Sequence, residues 1–382
     1  MTTARFVMKR FFHRLLATDS CLLRPVPTSM RATSLILAAG IIFATAFVSA
    51  APGARAQSGR GGKSPVYAET PGAATPFSGR RAFEHVRKLV EFGPRPSGSK
   101  GIEDARRYII ASLEGETPLP GGGEAGASRP TLNPRAPGAF EVTEDAWVAD
   151  TPAGRVRMVN IVAELKGETD DTIVIAGHYD TKRFREFAFV GANDGGSSAG
   201  ALIELARVFR ARSGPNHFTY RFVFFDGEES VCREWDECSK PGRPDNTYGS
   251  RYEVGRLKAR NRLKDVRALI LLDMVGYEQL ELGRDSLSTP WLVDILWQTA
   301  RGLGHSKQFV EREESIGGDD HVPFLGAGVP SVDLIQLSTY PHWHTAADTL
   351  DKISPHSLKA VGDVVLASLP RIEEKLKKGV GG

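Results

Sequence analysis

The sequence predicts a single α/β domain built on a mixed, mostly parallel central sheet flanked by helices. Three observations carry that expectation. Short, mainly apolar runs recur at 172–176, 220–225, 268–272 and 329–335, as strands covered on both faces require. Amphipathic segments with helical spacing lie between them, such as 197–212 with Leu202, Leu205, Ala206 and Phe209 on one side. The two kinds of element alternate along the chain, which is the pattern of an α/β domain.

In chain order, the first element reads as a targeting segment. A basic stretch holds Arg5, Lys9, Arg10, Arg14, Arg24 and Arg31, and no charged residue follows between Ala32 and Ala54. Val48-Ser49-Ala50 and Ala54-Arg55-Ala56 both fit a small-x-small cleavage pattern. Residues 1–56 are therefore expected to be a signal peptide, with Met30 as an alternative start. The competing expectation is an uncleaved membrane anchor, because the apolar run is close to spanning length. Either way the rest of the chain is exported, to the periplasm or beyond the cell. Residues 57–78 are rich in Gly, Pro, Ala and Ser and read as a flexible linker. The folded domain is then 79–382.

Within it, Phe83, Val86, Leu89 and Val90 share one helical face after Ser78, and Ala105, Tyr108, Ile109 and Leu113 another over 102–113. Residues 115–138 hold many Gly and Pro and read as an exposed insertion loop. Strands are expected at 140–149 and 155–165, before the buried runs. Helices are expected at 249–260, 290–303 and 355–376, the last with Ser354 as N-cap and Pro355 in its first turn.

Composition excludes some classes. The formal charge is +3, and much of the excess base lies in the targeting segment. No basic stripe interleaved with aromatics is present, so nucleic acid is not an expected partner. Of three cysteines, Cys21 falls in the targeting segment. Cys232 and Cys238 form an even pair for an oxidising compartment and are expected to close a local disulfide, free thiols being the alternative. A zinc knuckle lacks the second ligand pair it needs.

The chemistry gathers at strand ends. The run at 172–176 leads into Gly177-His178-Tyr179-Asp180, and that at 220–225 into Asp226-Gly227-Glu228-Glu229. The run at 268–272 ends in Asp273, Asp194 precedes a helix, and His344 follows the last strand. In open α/β sheets sites form at the carboxyl ends of strands. One carboxylate there is ordinarily a cap, and His178 alone could be a core histidine. Five such positions together point to a site. Imidazole and carboxylate suit zinc, which keeps an open position when catalytic. Asp180 and Asp348 are candidates to orient His178 and His344 respectively. Glu228 and Glu229 should point to opposite sides of an extended segment, so that one binds metal and the other moves protons.

Taken together, Gly177-His-Tyr-Asp180, Gly191-Ala-Asn-Asp-Gly195, Phe224-Phe-Asp-Gly-Glu-Glu229, Leu271-Leu-Asp-Met274 and Trp343-His-Thr345 resemble the zinc aminopeptidase family that also contains the animal-type glutaminyl cyclases. The likeness spans roughly residues 80–376 and implies a zinc-dependent catalytic domain. In the family's peptidases, Asp194 would bridge two zinc ions, with His178 and Asp273 completing one and Glu229 and His344 the other. In its cyclases a single zinc would be held by Asp194, Glu229 and His344, with Glu228, Asp273 and Asp319 moving protons. Asp319 in Gly317-Gly-Asp-Asp-His321 and Trp343 beside His344 favour the cyclase branch, as do Tyr248-Gly-Ser-Arg251 and the Trp235 loop. Trp235 and Trp343 would line the substrate pocket, although ordinary packing is the alternative for each. The loop at 230–247 departs from the animal cyclases by its length and its two cysteines.

The resemblance therefore implies a glutaminyl-peptide cyclotransferase, an acyltransferase that closes an N-terminal glutamine to pyroglutamate with release of ammonia. Its partners would be peptide or protein N-termini. The alternatives are a two-zinc aminopeptidase and a non-catalytic, zinc-stabilised binding domain; Glu228, which a structural site does not need, argues against the last. Cleavage after Ala56 would expose Gln57 and make the chain a substrate of its own kind of activity.

Overall fold

A twisted sheet positions everything that follows. In the computed structural model, which describes residues 76–115, 139–212 and 215–379, its strands in chain order are β1 (Glu141–Thr151), β2 (Gly154–Leu165), β3 (Thr172–His178), β4 (Thr219–Phe225) and β5 (Val266–Asp273). Two strands of a smaller parallel sheet, β6 (Leu282–Asp285) and β7 (Phe309–Glu314), precede β8 (Ser331–Ile335). The order in the main sheet is β1-β2-β4-β3-β5-β8. β1 and β2 form an antiparallel hairpin, β2 pairs antiparallel with β4, and β4, β3, β5 and β8 run parallel. The expected mixed, mostly parallel sheet is present. The targeting segment, residues 57–75 of the linker and residues 116–138 of the insertion lie outside the described residues.

The apolar runs exist because the central strands bury both faces. In β3, Ile173 and Ile175 enter one core while Val174 and Ala176 enter another. β4 divides Phe222 and Phe224 from Val223 and Phe225 in the same way. Each of the larger side chains among these contributes roughly 1.5–3 kcal/mol of burial. The charged residue in β4, Arg221, is tolerated because Glu164 and Glu253 pair with it at 3.0 and 2.9 Å.

On the larger core lie α1 (Gly79–Glu91), α2 (Lys100–Glu114) and α3 (Gly196–Arg210), whose apolar sides face the sheet. The opposite face carries α4 (Tyr248–Ala259). α5 (Pro290–Gly302) returns to the first face, α6 (His321–Leu325) joins α4, and α7 (Pro355–Lys377) closes the first face. Ser354 caps α7 as expected, its Oγ accepting from the His356 amide at 3.1 Å.

The linker ends earlier than its composition suggests. Phe77 is 1% exposed and lies where a Cβ on Gly362 would stand only 2.4 Å from its ring; glycine in α7 is what admits it. Ser78 caps α1, and its amide donates to buried Glu204 Oε1 at 2.9 Å. The small parallel sheet and α6 were not expected. β6, four residues long, and β7, two apolar residues followed by four charged ones, carry little periodic signal.

Candidate metal centre and active site

His178 is the last residue of β3 and Asp273 the last of β5, and Glu228 and Glu229 follow β4 after Asp226 and Gly227. Parallel neighbours end at the same level, so these groups meet at one sheet edge. Asp194 enters from the loop before α3. Gly195 beside it has φ +76, and a Cβ there would lie 2.4 Å from the Asp180 carbonyl oxygen. Only glycine lets that loop close on β3. His344, after β8, has φ +53, and Met274, next to Asp273, has φ +46. Left-handed backbone at a non-glycine residue costs of order 1–3 kcal/mol; here it falls on one candidate ligand, His344, and next to another, Asp273.

The geometry centres on Asp194. Its Oδ1 lies 3.3 Å from His178 Nε2 and its Oδ2 3.4 Å from His344 Nε2. Asp273 Oδ1 is 3.0 Å from His178 Nε2, and Glu229 Oε2 is 3.3 Å from His344 Nε2. Two sets of three donors result, His178/Asp194/Asp273 and Asp194/Glu229/His344, each with ligand atoms within 4.8 Å of one another. Asp194 Oδ2 and Glu229 Oε2 are buried without a hydrogen-bond partner. Buried carboxylate oxygens left unmatched, facing imidazoles, are a donor set that a cation satisfies. The residues therefore fit zinc. A third cluster, Cys232/Cys238/Asp245, does not, because its sulfurs form a disulfide.

Electrostatics agree with that assignment. Burial opposes charging His178, but Asp273 and Glu228 outweigh it and drive its pKa well up. Burial also opposes charging His344, and Glu229 reverses the sign. The imidazoles thus sit where positive charge is wanted, and a metal ion displaces those protons on binding. Glu229 is held below its usual range: burial works against this, and His344 overcomes it. Its neighbour differs. Burial first, then Glu229 and Asp319, push Glu228 well above the ordinary carboxylate range against the pull of His178. Asp319 is pushed up to about 7 by burial and by Asp273. The two glutamates face different partners: Glu229 Oε2 lies 3.3 Å from His344 Nε2 and Glu228 Oε2 lies 3.8 Å from His178 Nδ1.

The supporting carboxylates differ in part from expectation. Asp180 is 3.5 Å from His178 Nδ1, yet its hydrogen bonds come from the amides of Glu228 and Glu229 at 3.2 and 3.3 Å. It sets the glutamate pair as well as the imidazole. Asp348 does not orient His344. It accepts from the amides of Asn193 and Asp194 at 2.8 and 3.1 Å and from Tyr340 Oη at 2.6 Å, so it holds the Asp194 loop. Asn193 Oδ1 in turn accepts from the Gly276 amide at 2.8 Å, tying that loop to the segment after Asp273.

Trp343 is stacked on the His344 ring at 4.1 Å and remains 41% exposed, which leaves its outer face open. Trp235 Nε1 lies 4.0 Å from where a Cβ on Gly318 would stand, next to Asp319. Both tryptophans thus border the site. Sequence reasoning missed several partners. Phe184 and Phe189 meet the His344 ring edge-on at 5.7 and 5.8 Å. Buried Lys182 donates its amide to Glu229 Oε1 at 3.0 Å. Its place two residues after Asp180 was the available signal. Arg95, in a Gly/Pro loop, gave none.

The fold and the site define an enzyme with the architecture of a zinc exopeptidase. A family model described as Peptidase family M28 matches residues 160–369, more than half of the chain, and the chain belongs to that family. It is 27% identical to the glutaminyl-peptide cyclotransferase-like protein of Mus musculus, over 72% of this chain and 71% of the relative. Among solved structures it is similar to a glutaminyl cyclase from an Acidobacteriales bacterium, with 34% identity, a TM-score of 0.68, and coverage of 81% of this chain and 99% of that one. A glutaminyl cyclase of Porphyromonas gingivalis is 28% identical, with a TM-score of 0.65 and coverage of 77% and 98%.

Proposed function

We propose that this protein is a glutaminyl-peptide cyclotransferase. One observation carries the reading: buried Glu228 directly precedes the proposed ligand Glu229 and has its Oε2 3.8 Å from His178 Nδ1, while burial, Glu229 and buried Asp319 all raise its proton affinity. The relatives named glutaminyl cyclase support it.

Asp194, Glu229 and His344 are assigned as ligands of one zinc. When bound, that ion supplies a Lewis-acid charge at the γ-carbonyl of an N-terminal glutamine. The substrate's own α-amine attacks that carbon, so the chain provides no nucleophile. Glu228 takes the proton from the amine nitrogen and returns it to the departing amide nitrogen, which leaves as ammonia. Asp273, at the end of β5, and Asp319, in the loop before α6, hold Glu228 and stabilise the charge of that exchange. Trp343 and Trp235 position the glutamine side chain.

The second reading is an aminopeptidase with two zinc ions. It is favoured by the proximity of His178, Asp194 and Asp273. Ammonia release and peptide cleavage, followed separately on Gln-peptides and Leu-peptides, distinguish the two. The proposal expects ammonia without cleavage; rapid release of free leucine would sink it. Metal analysis adds a check, since the cyclase binds one zinc per chain tightly and the peptidase two.

Residues 1–56 are read as an export signal or anchor, on sequence grounds. No helix among the described residues is long and apolar enough to cross a membrane, and the apolar run itself lies outside them.

A further inference from the structure

Between β4 and α4 the chain runs from Ser230 to Thr247 without a helix or strand. Its strand-like backbone pairing is limited to a short bridge, in which the Lys240 and Arg243 amides donate to each other's carbonyls at 3.0 and 2.8 Å, and the Thr247 amide donates to the Glu228 carbonyl at 2.8 Å, yet it carries Trp235 to the edge of the site. Its shape comes from a few ties. The Cys232–Cys238 bond, with Cα atoms 6.0 Å apart, closes a small ring, and Trp235 is its central residue. Inside, the Cys232 amide donates to Asp245 Oδ2 at 2.9 Å, and Asn246 Nδ2 donates to the Trp235 carbonyl at 3.2 Å. Outside, Arg233 Nη1 meets Glu186 Oε1 at 3.1 Å. Glu186 belongs to the loop whose Phe184 and Phe189 rings flank His344. That ion pair is mostly solvent-exposed, with side chains 67% and 61% accessible, and contributes little alone. The covalent ring is the strong restraint.

We propose that the Cys232–Cys238 disulfide is a positioning element for the substrate pocket: it fixes the ring that holds the Trp235 indole against Gly318, beside Asp319. This deepens the cyclase reading and rests on it. An indole already held in place loses little freedom when a substrate arrives. Freed from the ring, the same side chain must be ordered at each binding event. The sulfurs touch no reacting atom, so the effect belongs to substrate affinity and not to the chemical step.

Ammonia release from a Gln-peptide by the wild type first establishes the cyclase reading; comparison of variants then bears on the disulfide alone. Cys232→Ser/Cys238→Ser is expected to raise KM about tenfold, equivalent to about 1.4 kcal/mol, with kcat within about twofold and zinc content unchanged. In a Trp235→Ala background the same pair of substitutions is expected to change KM less than twofold, because the element it positions is gone. An unchanged KM in the first case, or an undiminished tenfold effect in the second, overturns the proposal. If the serine variant fails to fold, reduction of the folded wild type opens the same ring: KM is expected to rise about tenfold, and an unchanged KM with the Cys232 and Cys238 thiols both titrated as free overturns the proposal.

Discussion

Replacing Asp348 with asparagine is expected to weaken zinc binding although Asp348 is not a ligand. Three donors converge on this buried carboxylate: the amides of Asn193 and Asp194 and the hydroxyl of Tyr340. An ionised carboxylate accepts all three. Asparagine has one acceptor oxygen, and its NH2 group must face at least one of the same donors. The substitution therefore removes one charge-assisted hydrogen bond and leaves a buried donor unmatched, a loss of about 1.5–3 kcal/mol. Part of that loss falls on the loop that presents Asp194 to both histidines. Zinc affinity is expected to drop about 10–100-fold, while turnover at saturating zinc stays within a few-fold of wild type. Competition with a chromophoric chelator measures the first quantity, and ammonia release at high zinc the second. Unchanged zinc affinity with a lowered melting temperature would show that Asp348 supports the fold and not the metal loop, and the argument would be wrong.

Glu228→Gln keeps the shape of the site but cannot accept the amine proton; turnover is expected to fall about 10²–10⁴-fold with zinc content unchanged by elemental analysis. Removing the metal by dialysis against a chelator leaves buried carboxylates facing one another. At free zinc near a thousand times Kd the bound ion contributes about 4 kcal/mol, so the melting temperature is expected to drop by roughly 6 °C and to recover with added zinc. His85 provides a test of pH dependence away from the site. Burial, then Arg81 and Arg207, push its pKa from 6.5 down to about 3, so the fold holds it neutral. Its contribution is present above pH 6.5 and is lost as pH falls toward 3, at about 1.4 kcal/mol per pH unit. Urea unfolding at pH 6.5 and 5 is expected to show wild type losing about 2 kcal/mol more than His85→Gln.

Much of this site was legible because its chemistry sits where the sequence changes character. His178 and Asp273 each end a run of buried apolar residues, and a polar residue at such a junction has few structural duties. The same logic located Glu228 and Glu229. It failed where a residue acts across the fold with no local signature. Asp348 looks like a partner of His344 from its spacing, yet the turn after His344 carries it under the Asp194 loop. Phe184 and Phe189 read as ordinary apolar residues, and only packing brings their rings against His344. The smaller sheet escaped for a related reason: half-exposed β7 makes a weak pattern, and β6 is too short to make one.

Arg95 shows where the functional unit of this chain begins. Its buried guanidinium donates to the carbonyls of Leu89, Gly93, Tyr179, Val190 and Gly191. One cation from the loop between α1 and α2 thus gathers the end of α1, the residue after His178 and the stretch leading to Asp194. The portion matched by the family model, 160–369, contains every proposed ligand but not this arginine. A fragment cut to that portion would keep all its metal-binding side chains and lose the clasp behind them. Transplanting or trimming this enzyme therefore has to start upstream of α1, because the loop between α1 and α2 supplies the clasp behind the metal centre.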